Sequence, residues 1–489
     1  MSAEEAENHT CRHGSCWNAL CRHKSKKMLT NYELVCYDKN PSPGGTWLEN
    51  RIQEYFMKFY HKHNLADFAV FNTEVLSAEW DGVQGIWKVE LKNTKDGTII
   101  HDTCNVLING SGVLTKWKWP SIPGLQDFQI VAHSACWPQD LDWSGKRVAV
   151  IGSGSSSIQM VPKLAETATQ LPVFMRNKTY IAPRFGANIM NKEADPDAMD
   201  PAAAGKHKYT ELEKKRFRED PEYLQAYRTR LEQGVASGWD HVYRGSELNV
   251  QGKAYVQASM RERLGDRDDL KEKIIPSWSP GCRRLTPGEN YLESLTSSNV
   301  EVIWGEIDHI SESGLVTESG REVQVDILAC ATGFDVHFLP HFKITGERGR
   351  VMQDQKDPNI YASIAHPNFP NYFVINGPQS IGLRDALYLR TKHKSNAWHA
   401  KHSIWAEDCR SWYKDNTRDG RVFVWPGSML HHLKYLKRRR YEYYEIEYDD
   451  PGNIFAFLGN GKTISEVKYG PQVPVPYIRI NEDEVWDIE

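Results

Sequence analysis

The chain has 489 residues, too many for one ordinary core, and at about 100–200 residues per domain two or three domains are expected. Hydrophobic residues make up 40% and aromatics 11%, enough to bury sizeable cores, while a formal net charge of -4 gives no electrostatic attraction to nucleic acid or an anionic membrane. No apolar run approaches the roughly 18 residues of a transmembrane helix, and the N-terminus lacks the apolar stretch of a secretory signal.

Residues 1–30 read as an atypical basic leader. Cys11, Cys16 and Cys21 recur every five residues beside His13 and His23, a spacing that fits no common zinc module, so no metal is expected. Glu4, Glu5 and Glu7 argue against a mitochondrial transit peptide. The nine cysteines are odd in number and scattered, which predicts reduced thiols and a cytoplasmic protein. ELVCYD at 33–38 predicts a short buried strand ending in an acid, and PSPGG at 41–45 a turn. RIQEYFMKFYHKH at 51–63 has helical apolar spacing at Ile52, Tyr55, Phe56 and Phe59. Two strands, VLSAEWD and IWKVELKN, meet at a turn around Gly82 to Gly85, and CNVLING at 104–110 predicts another buried strand.

RVAVIG at 147–152 predicts a strand running into a glycine turn, followed by a helix over 155–168 and a strand, LPVFMR, at 171–176. The stretch 186–273 is charged and helix-like, with ELEKKRFRED its clearest run. VQVDILACATGFD at 323–335 and NYFVING at 371–377 return to buried strand. Strands alternating with helices imply an α/β fold with parallel sheets.

The βαβ unit at 147–176 carries the clearest chemistry. Gly152-Ser153-Gly154-Ser155-Ser156-Ser157 leaves a strand and opens a helix. The two glycines allow a tight turn and close approach of backbone to a pyrophosphate, and the helix N-terminus supplies N–H donors with a favourable dipole. Ser157 occupies the third position, usually glycine or alanine, and is small enough for helix–strand packing. An NAD site places an acid at the end of the second strand. Here stands Arg176, followed by Asn177, and a guanidinium pairs well with a 2′-phosphate, so NADP is favoured over NAD.

GSGSSSIQ with its following MRN resembles the NADP module of the Baeyer–Villiger monooxygenases, the FAD- and NADPH-dependent class B flavin monooxygenases. Just upstream, His133-Ser134-Ala135-Cys136-Trp137-Pro138 fits the second half of that family's fingerprint, although Phe128 stands one residue too close to His133 and no glycine lies between them. Asp38 followed by Gly44-Gly45-Thr46-Trp47 resembles the family's FAD-ribose acid and flavin-contacting turn. Arg283-Arg284 before a Y-x-E-x-L helix at Tyr291 to Leu295 resembles its basic pair, and Thr332-Gly333 lies in its ATG motif. Asn376-Gly377-Pro378 and Trp425-Pro426-Gly427-Ser428 also match. The wording is nearest to the fungal, polyketide-pathway branch of aflatoxin–sterigmatocystin type.

The resemblance spans about 31–489. It implies two Rossmann-like domains: an FAD domain split between 1–140 and 330–489 and apparently incomplete, with an NADP domain inserted at 141–329. It also implies FAD and NADPH as cofactors, O2 as oxidant and a small-molecule ketone as substrate, converted to an ester or lactone. Arg284 would then be the catalytic cation, steadying negative charge that develops on oxygen. A fixed donor of this kind contributes about 3–4 kcal/mol. Arg283 would hold the 2′-phosphate with Arg176, and His133 would order the linker between domains and not act as a base.

Three blocks depart from the pattern. Gly14 is the only glycine in the first 43 residues, so no G-x-G-x-x-G precedes Asp38. After Glu49-Asn50-Arg51 the family's tyrosine-proline-glycine stretch and active-site aspartate are missing. Between Gly382 and Trp398 a long segment is reduced to a few residues. Because the losses are block-like and the flanks match closely, displaced exon boundaries compete with genuine divergence as the explanation. Two other functions stay open: an N- or S-oxidising flavin monooxygenase, against which Trp137-Pro138 argues, and a non-catalytic nucleotide-binding relative, which the missing glycine loop supports. The sequence carries no signal for oligomeric state.

Overall fold

Every position of Val148-Ala149-Val150-Ile151 is apolar, a pattern suited to a strand covered on both faces. In the computed structural model these four residues are 0, 0, 0 and 8% exposed, at the centre of a five-stranded parallel sheet. The structure describes residues 33–43, 53–112, 114–183, 209–335, 339–355, 360–361, 363–375, 401–414, 416–422, 425, 427–438, 441–447 and 464–472.

Along the chain the strands are β1 (Cys36–Tyr37), β2 (Ala69–Val70), β3 (Thr73–Asp81), β4 (Ile86–Asn93), β5 (Ile99–Cys104), β6 (Leu107–Asn109), β7 (Val131–His133), β8 (Val148–Ile151) and β9 (Leu171–Met175). They continue as β10 (Ile181–Ala182), β11 (Thr286–Pro287), β12 (Val300–Trp304), β13 (Ile307–Ile310), β14 (Gly314–Thr317), β15 (Glu322–Gln324), β16 (Ile327–Cys330), β17 (Lys343–Thr345) and β18 (Tyr372–Val374). The helices used below are α1 (Gln53–Lys62), α2 (Ser155–Ala165), α3 (Glu211–Glu219), α4 (Pro221–Ala236), α5 (Glu247–Arg263), α6 (Asp268–Ile274) and α7 (Tyr291–Leu295).

The parallel sheet has the order β12-β9-β8-β16-β7. From β8 the chain steps outward through β9 to β12, then returns to place β16 on the other side of β8. The order therefore reverses between β8 and β16, where open α/β sheets bind their ligands. Alternate side chains serve opposite faces. Val148, Val150 and Val173 pack with Ile158, Val161 and Leu164 of α2, Met260 of α5 and Tyr291 of α7. Ala149, Ile151, Phe174 and Leu328 face Phe128, Ile310 and Leu315, beneath the antiparallel sheet β13-β14-β15.

A second sheet, β17-β3-β4-β5, carries the expected hairpin. At its turn the Asp81 carboxylate accepts from the Val83 and Gln84 amides, and Gly85 takes φ +66°. Fully buried Trp87 anchors this core and donates its indole N–H to the Pro370 carbonyl at 2.9 Å. The charged stretch forms α3 to α6, with α3 opened by a capping box between Thr210 and Glu213. By internal contact residues 1–434 make one compact unit and 435–489 a second, in which the described residues include a helix at Ile464–Tyr469.

Four expectations change. The 323–335 run divides into β15 and β16, because the Asp326 carboxylate turns the chain by accepting from the Arg147 amide at 2.8 Å and guanidinium at 2.7 Å. The 33–38 strand shrinks to β1, which among the described residues pairs only with β2, and the 104–110 strand shrinks to β6, which among them pairs only with β18. Val35, Val106 and Ile108 are then 41, 47 and 42% exposed instead of buried, since a strand is covered only where partners exist. The cysteines are not all free: Cys282 and Cys409, both fully buried and 127 residues apart, form a disulfide with Cα atoms 6.3 Å apart. Cys11, Cys16, Cys21, His13 and His23 lie outside the described residues. Among the described residues no helix is long and apolar enough to cross a membrane.

Candidate nucleotide site

The glycine turn sits at the reversal point of the parallel sheet. Gly152 ends β8 with φ +125°, and a Cβ there would stand 2.7 Å from the Ala331 carbonyl oxygen at the end of β16. Only glycine lets the two loops touch. Gly154 is different: no atom lies within 4 Å of the position its Cβ would take, so the backbone borders open space. No side chain caps the N-terminus of α2, which begins at Ser155. Its first amides and its dipole point into that space, as an anion site requires. Ser153 is tied down by its hydroxyl, which donates to the Asn177 carbonyl at 3.1 Å, and Ser156 lies beside it in the first helical turn. Ser157 is fully buried, as packing of α2 on the sheet demands.

Two further links assemble the site from distant sequence. The Ser155 hydroxyl lies 2.8 Å from the Thr286 hydroxyl, and β10 pairs with β11 through Ile181 and Thr286. The loop before β11 carries Arg283 and Arg284. Arg283 is half-buried and donates to the Lys178 carbonyl at 3.2 Å, two residues beyond Arg176. Burial, and then the positive charge of Arg410, push its guanidinium below the usual arginine range. Arg284 is exposed and has no hydrogen-bond or ion-pair partner among the described residues.

Arg176 is not free for a phosphate. Its guanidinium meets both carboxylate oxygens of Glu306, at 2.9 and 3.2 Å, on an exposed surface. Sequence reasoning found no acid near the second strand because Glu306 follows β12, 130 residues away. Exposed pairs contribute about 0.2–1 kcal/mol, so a dianionic 2′-phosphate can displace Glu306. Glu306→Gln should therefore tighten NADPH about two- to fivefold and leave NADH unchanged. Titration of both nucleotides checks this, and weaker NADPH binding in the variant would show that Glu306 positions Arg176.

His133 is fully buried at the end of β7. Its ring stacks on Trp117 at 4.6 Å and meets Trp119 edge-on at 5.4 Å. Nδ1 accepts from the Ala135 amide at 3.1 Å, which leaves the hydrogen on Nε2, 3.3 Å from the Thr332 hydroxyl. Burial holds its pKa below the ordinary histidine value, so the ring is neutral at pH 7 and ties β7 to the segment after β16. Thr332 donates onward to the Lys118 carbonyl at 2.9 Å, and Gly333 takes φ +79°. Asp38 ends β1 and accepts from the Asn40 amide at 3.0 Å, and burial raises its pKa. Gly44, Gly45, Thr46, Trp47, Pro426 and Asn376-Gly377-Pro378 lie outside the described residues. Among the described residues no group of three or more His, Cys, Asp or Glu could hold a metal.

Comparison with known proteins agrees with this geometry. Residues 14–192 match the model of the flavin-binding monooxygenase-like family. The chain is 34% identical to the FAD-binding monooxygenase tazF of Aspergillus terreus, over 91% of its own length and 89% of the relative's. It is 33% identical to the FAD-binding monooxygenase stcW of Emericella nidulans, over 96% and 88%. The crystal structure of cyclohexanone monooxygenase from Rhodococcus sp. Phi1 bound to NADP+ superposes with a TM-score of 0.66 at 21% identity, covering 87% of this chain and 94% of that one. A Gly152 turn at the sheet's reversal point thus sits in a chain that aligns along nearly its whole length with fungal flavoenzymes, and the protein belongs to the FAD-binding monooxygenases of the flavin-binding monooxygenase-like family, with the fold of the Baeyer–Villiger enzymes.

Proposed function

We propose that the chain is built for NADPH- and O2-dependent oxidation of a ketone, with oxygen inserted next to the carbonyl to give an ester or lactone, in a fungus making secondary metabolites. The carrying observation is the pair Gly152 and Gly154: one backbone contact that only glycine permits, and beside it open space under an uncapped helix N-terminus. These residues fit the pyrophosphate of a nicotinamide nucleotide. Arg283 and Arg176 add the preference for a 2′-phosphate, and residues 141–329 are assigned to this domain. The reaction class is supported by a 28% identical relative, a Baeyer–Villiger monooxygenase of Pseudomonas aeruginosa, and flavin-dependent monooxygenation by the names of the fungal relatives.

The flavin half, assigned to 1–140 and 330–489, fits less well. Asp38 is assigned to a ribose hydroxyl, but no G-x-G-x-x-G that would cradle the pyrophosphate precedes it in the sequence. The residues assigned to the flavin's glycine loop and contacting turn lie outside the described residues, and no step is derived through FAD. The missing glycine loop in the sequence favours a second reading, a relative that binds NADPH without oxygenating.

Arg284 is assigned to steadying an oxyanion, because it precedes Thr286, which meets Ser155, and has no bonding partner among the described residues. In the unaltered protein NADPH should bind at least about tenfold tighter than NADH, from one charged contact to the 2′-phosphate. Arg284→Ala should leave that affinity within about twofold, as expected of an exposed charge outside the phosphate site, while any ester formed from a ketone disappears. Equal affinity for NADPH and NADH would overturn the NADP assignment, and ester formation surviving in Arg284→Ala would make Arg284 a loop residue only.

A further inference from the structure

The disulfide between Cys282 and Cys409 has a consequence one residue further along each strand of the crosslink. It joins the loop carrying Arg283 to a segment near residue 410, and so brings Arg283 and Arg410 together from positions far apart in the sequence. The 407–418 segment that presents Arg410 is fixed from within. Buried Lys414 donates to the Glu407 and Arg418 carbonyls, Ser411 pairs with Thr417, and Arg410 Nε donates to the Asn416 carbonyl at 2.7 Å. Both Nη groups of Arg410 stay unengaged among the described residues, and Arg283 uses one N–H on Lys178.

Among the described residues no carboxylate bonds to either member of this pair. Glu407 is spent on Ser279, whose hydroxyl and amide each donate to it at 2.6 Å, and Asp408 is held by Arg418 at 2.9 Å. Two guanidinium groups close together with no anion repel, the more so when one is half-buried. The depression of Arg283 by burial and by Arg410 is the same effect seen in its protonation. A fold that crosslinks two loops to hold such a pair leaves a place for an anion between them.

The geometry points to Arg410 as a further binding residue for the nucleotide 2′-phosphate, shared with Arg283 and held in place by the Cys282–Cys409 bond. The choice of phosphate follows from position. Arg283 is anchored on the Lys178 carbonyl just past the end of β9, where a dinucleotide fold places the adenosine ribose. Planar guanidinium forks suit a phosphate better than ammonium groups would. This inference rests on the NADPH reading above.

The test is equilibrium titration of NADPH and NADH into the full chain. Arg410→Ala should weaken NADPH about tenfold and leave NADH unchanged, and Arg410→Lys should recover part of the loss. The double variant Cys282→Ser/Cys409→Ser, checked for an unchanged circular dichroism spectrum, should lose NADPH affinity severalfold with NADH again unmoved. Arg410 is exposed, so its variants test the idea even where the cysteine variant does not fold. An unchanged NADPH to NADH ratio in Arg410→Ala overturns the proposal, and so does equal weakening of both nucleotides, which would mark Arg410 as a structural loop residue. If neither nucleotide binds the unaltered protein, the NADPH reading itself has failed, a result distinct from either of these.

Discussion

Purified as this chain, the protein should carry little or no flavin. In a dinucleotide fold the glycine loop supplies several amide donors to the pyrophosphate, and side chains do not easily replace them. Three such hydrogen bonds to a charged group, at about 1.5 kcal/mol each, amount to about three orders of magnitude in affinity. A nanomolar site becomes a micromolar one and empties during purification. The first 43 residues hold one glycine, Gly14, which cannot make such a loop before Asp38. The measurement is the visible absorbance of the purified protein against its protein concentration. A stoichiometric flavin band would overturn the expectation, remove the second functional reading and restore oxygenation by this sequence.

Replacing either glycine of the nucleotide turn should destroy NADPH binding, but the two replacements should differ in their effect on the fold. Gly152→Ala forces a side chain into φ +125° and against the Ala331 carbonyl. The backbone term alone costs about 1–3 kcal/mol, and the contact adds to it. The turn must shift, and two lost phosphate contacts would weaken NADPH about a hundredfold or more. Gly154 has φ -87°, which alanine adopts freely, and nothing near its Cβ position. Gly154→Ala should therefore change stability by less than about 1 kcal/mol while its methyl fills the ligand's space. Chemical denaturation beside nucleotide titration separates the two. If Gly154→Ala bound NADPH as tightly as the unaltered chain, the open space beside it would not be the pyrophosphate site.

What was legible in the sequence was contiguous. The strand, glycine turn, helix and second strand at 147–176 fold from neighbouring residues, so apolar runs and glycine spacing revealed both the elements and their chemistry. The hairpin at β3 and β4 was legible for the same reason. What stayed hidden depends on residues that meet only after folding. Glu306 reaches Arg176 across 130 residues, Thr286 reaches Ser155 across 131, and Cys282 reaches Cys409 across 127. No spacing rule connects them. The lengths of β1 and β6 were overestimated because an apolar run shows that a segment wants burial, whereas a strand exists only where another strand bonds to it. His133 lay between these cases: its place in the fingerprint drew notice, but the neutral, stacked ring joined to Thr332 emerges only from packing.

The sheet that holds the glycine turn begins at β7 and ends at β16, and these two strands are hydrogen-bonded neighbours, with Cys330 beside His133 and Leu328 beside Val131. The first and last residues of the stretch from β7 to β16 are therefore separated by little more than the length of a three-residue strand, about 10 Å. A segment whose ends already meet costs its host chain little closure entropy, because the host spans almost no extra distance to accommodate it. Such a stretch can stay intact inside a chain whose flanks change, as the glycine turn at 152–157 does beside the blocks in which this sequence departs from the family pattern.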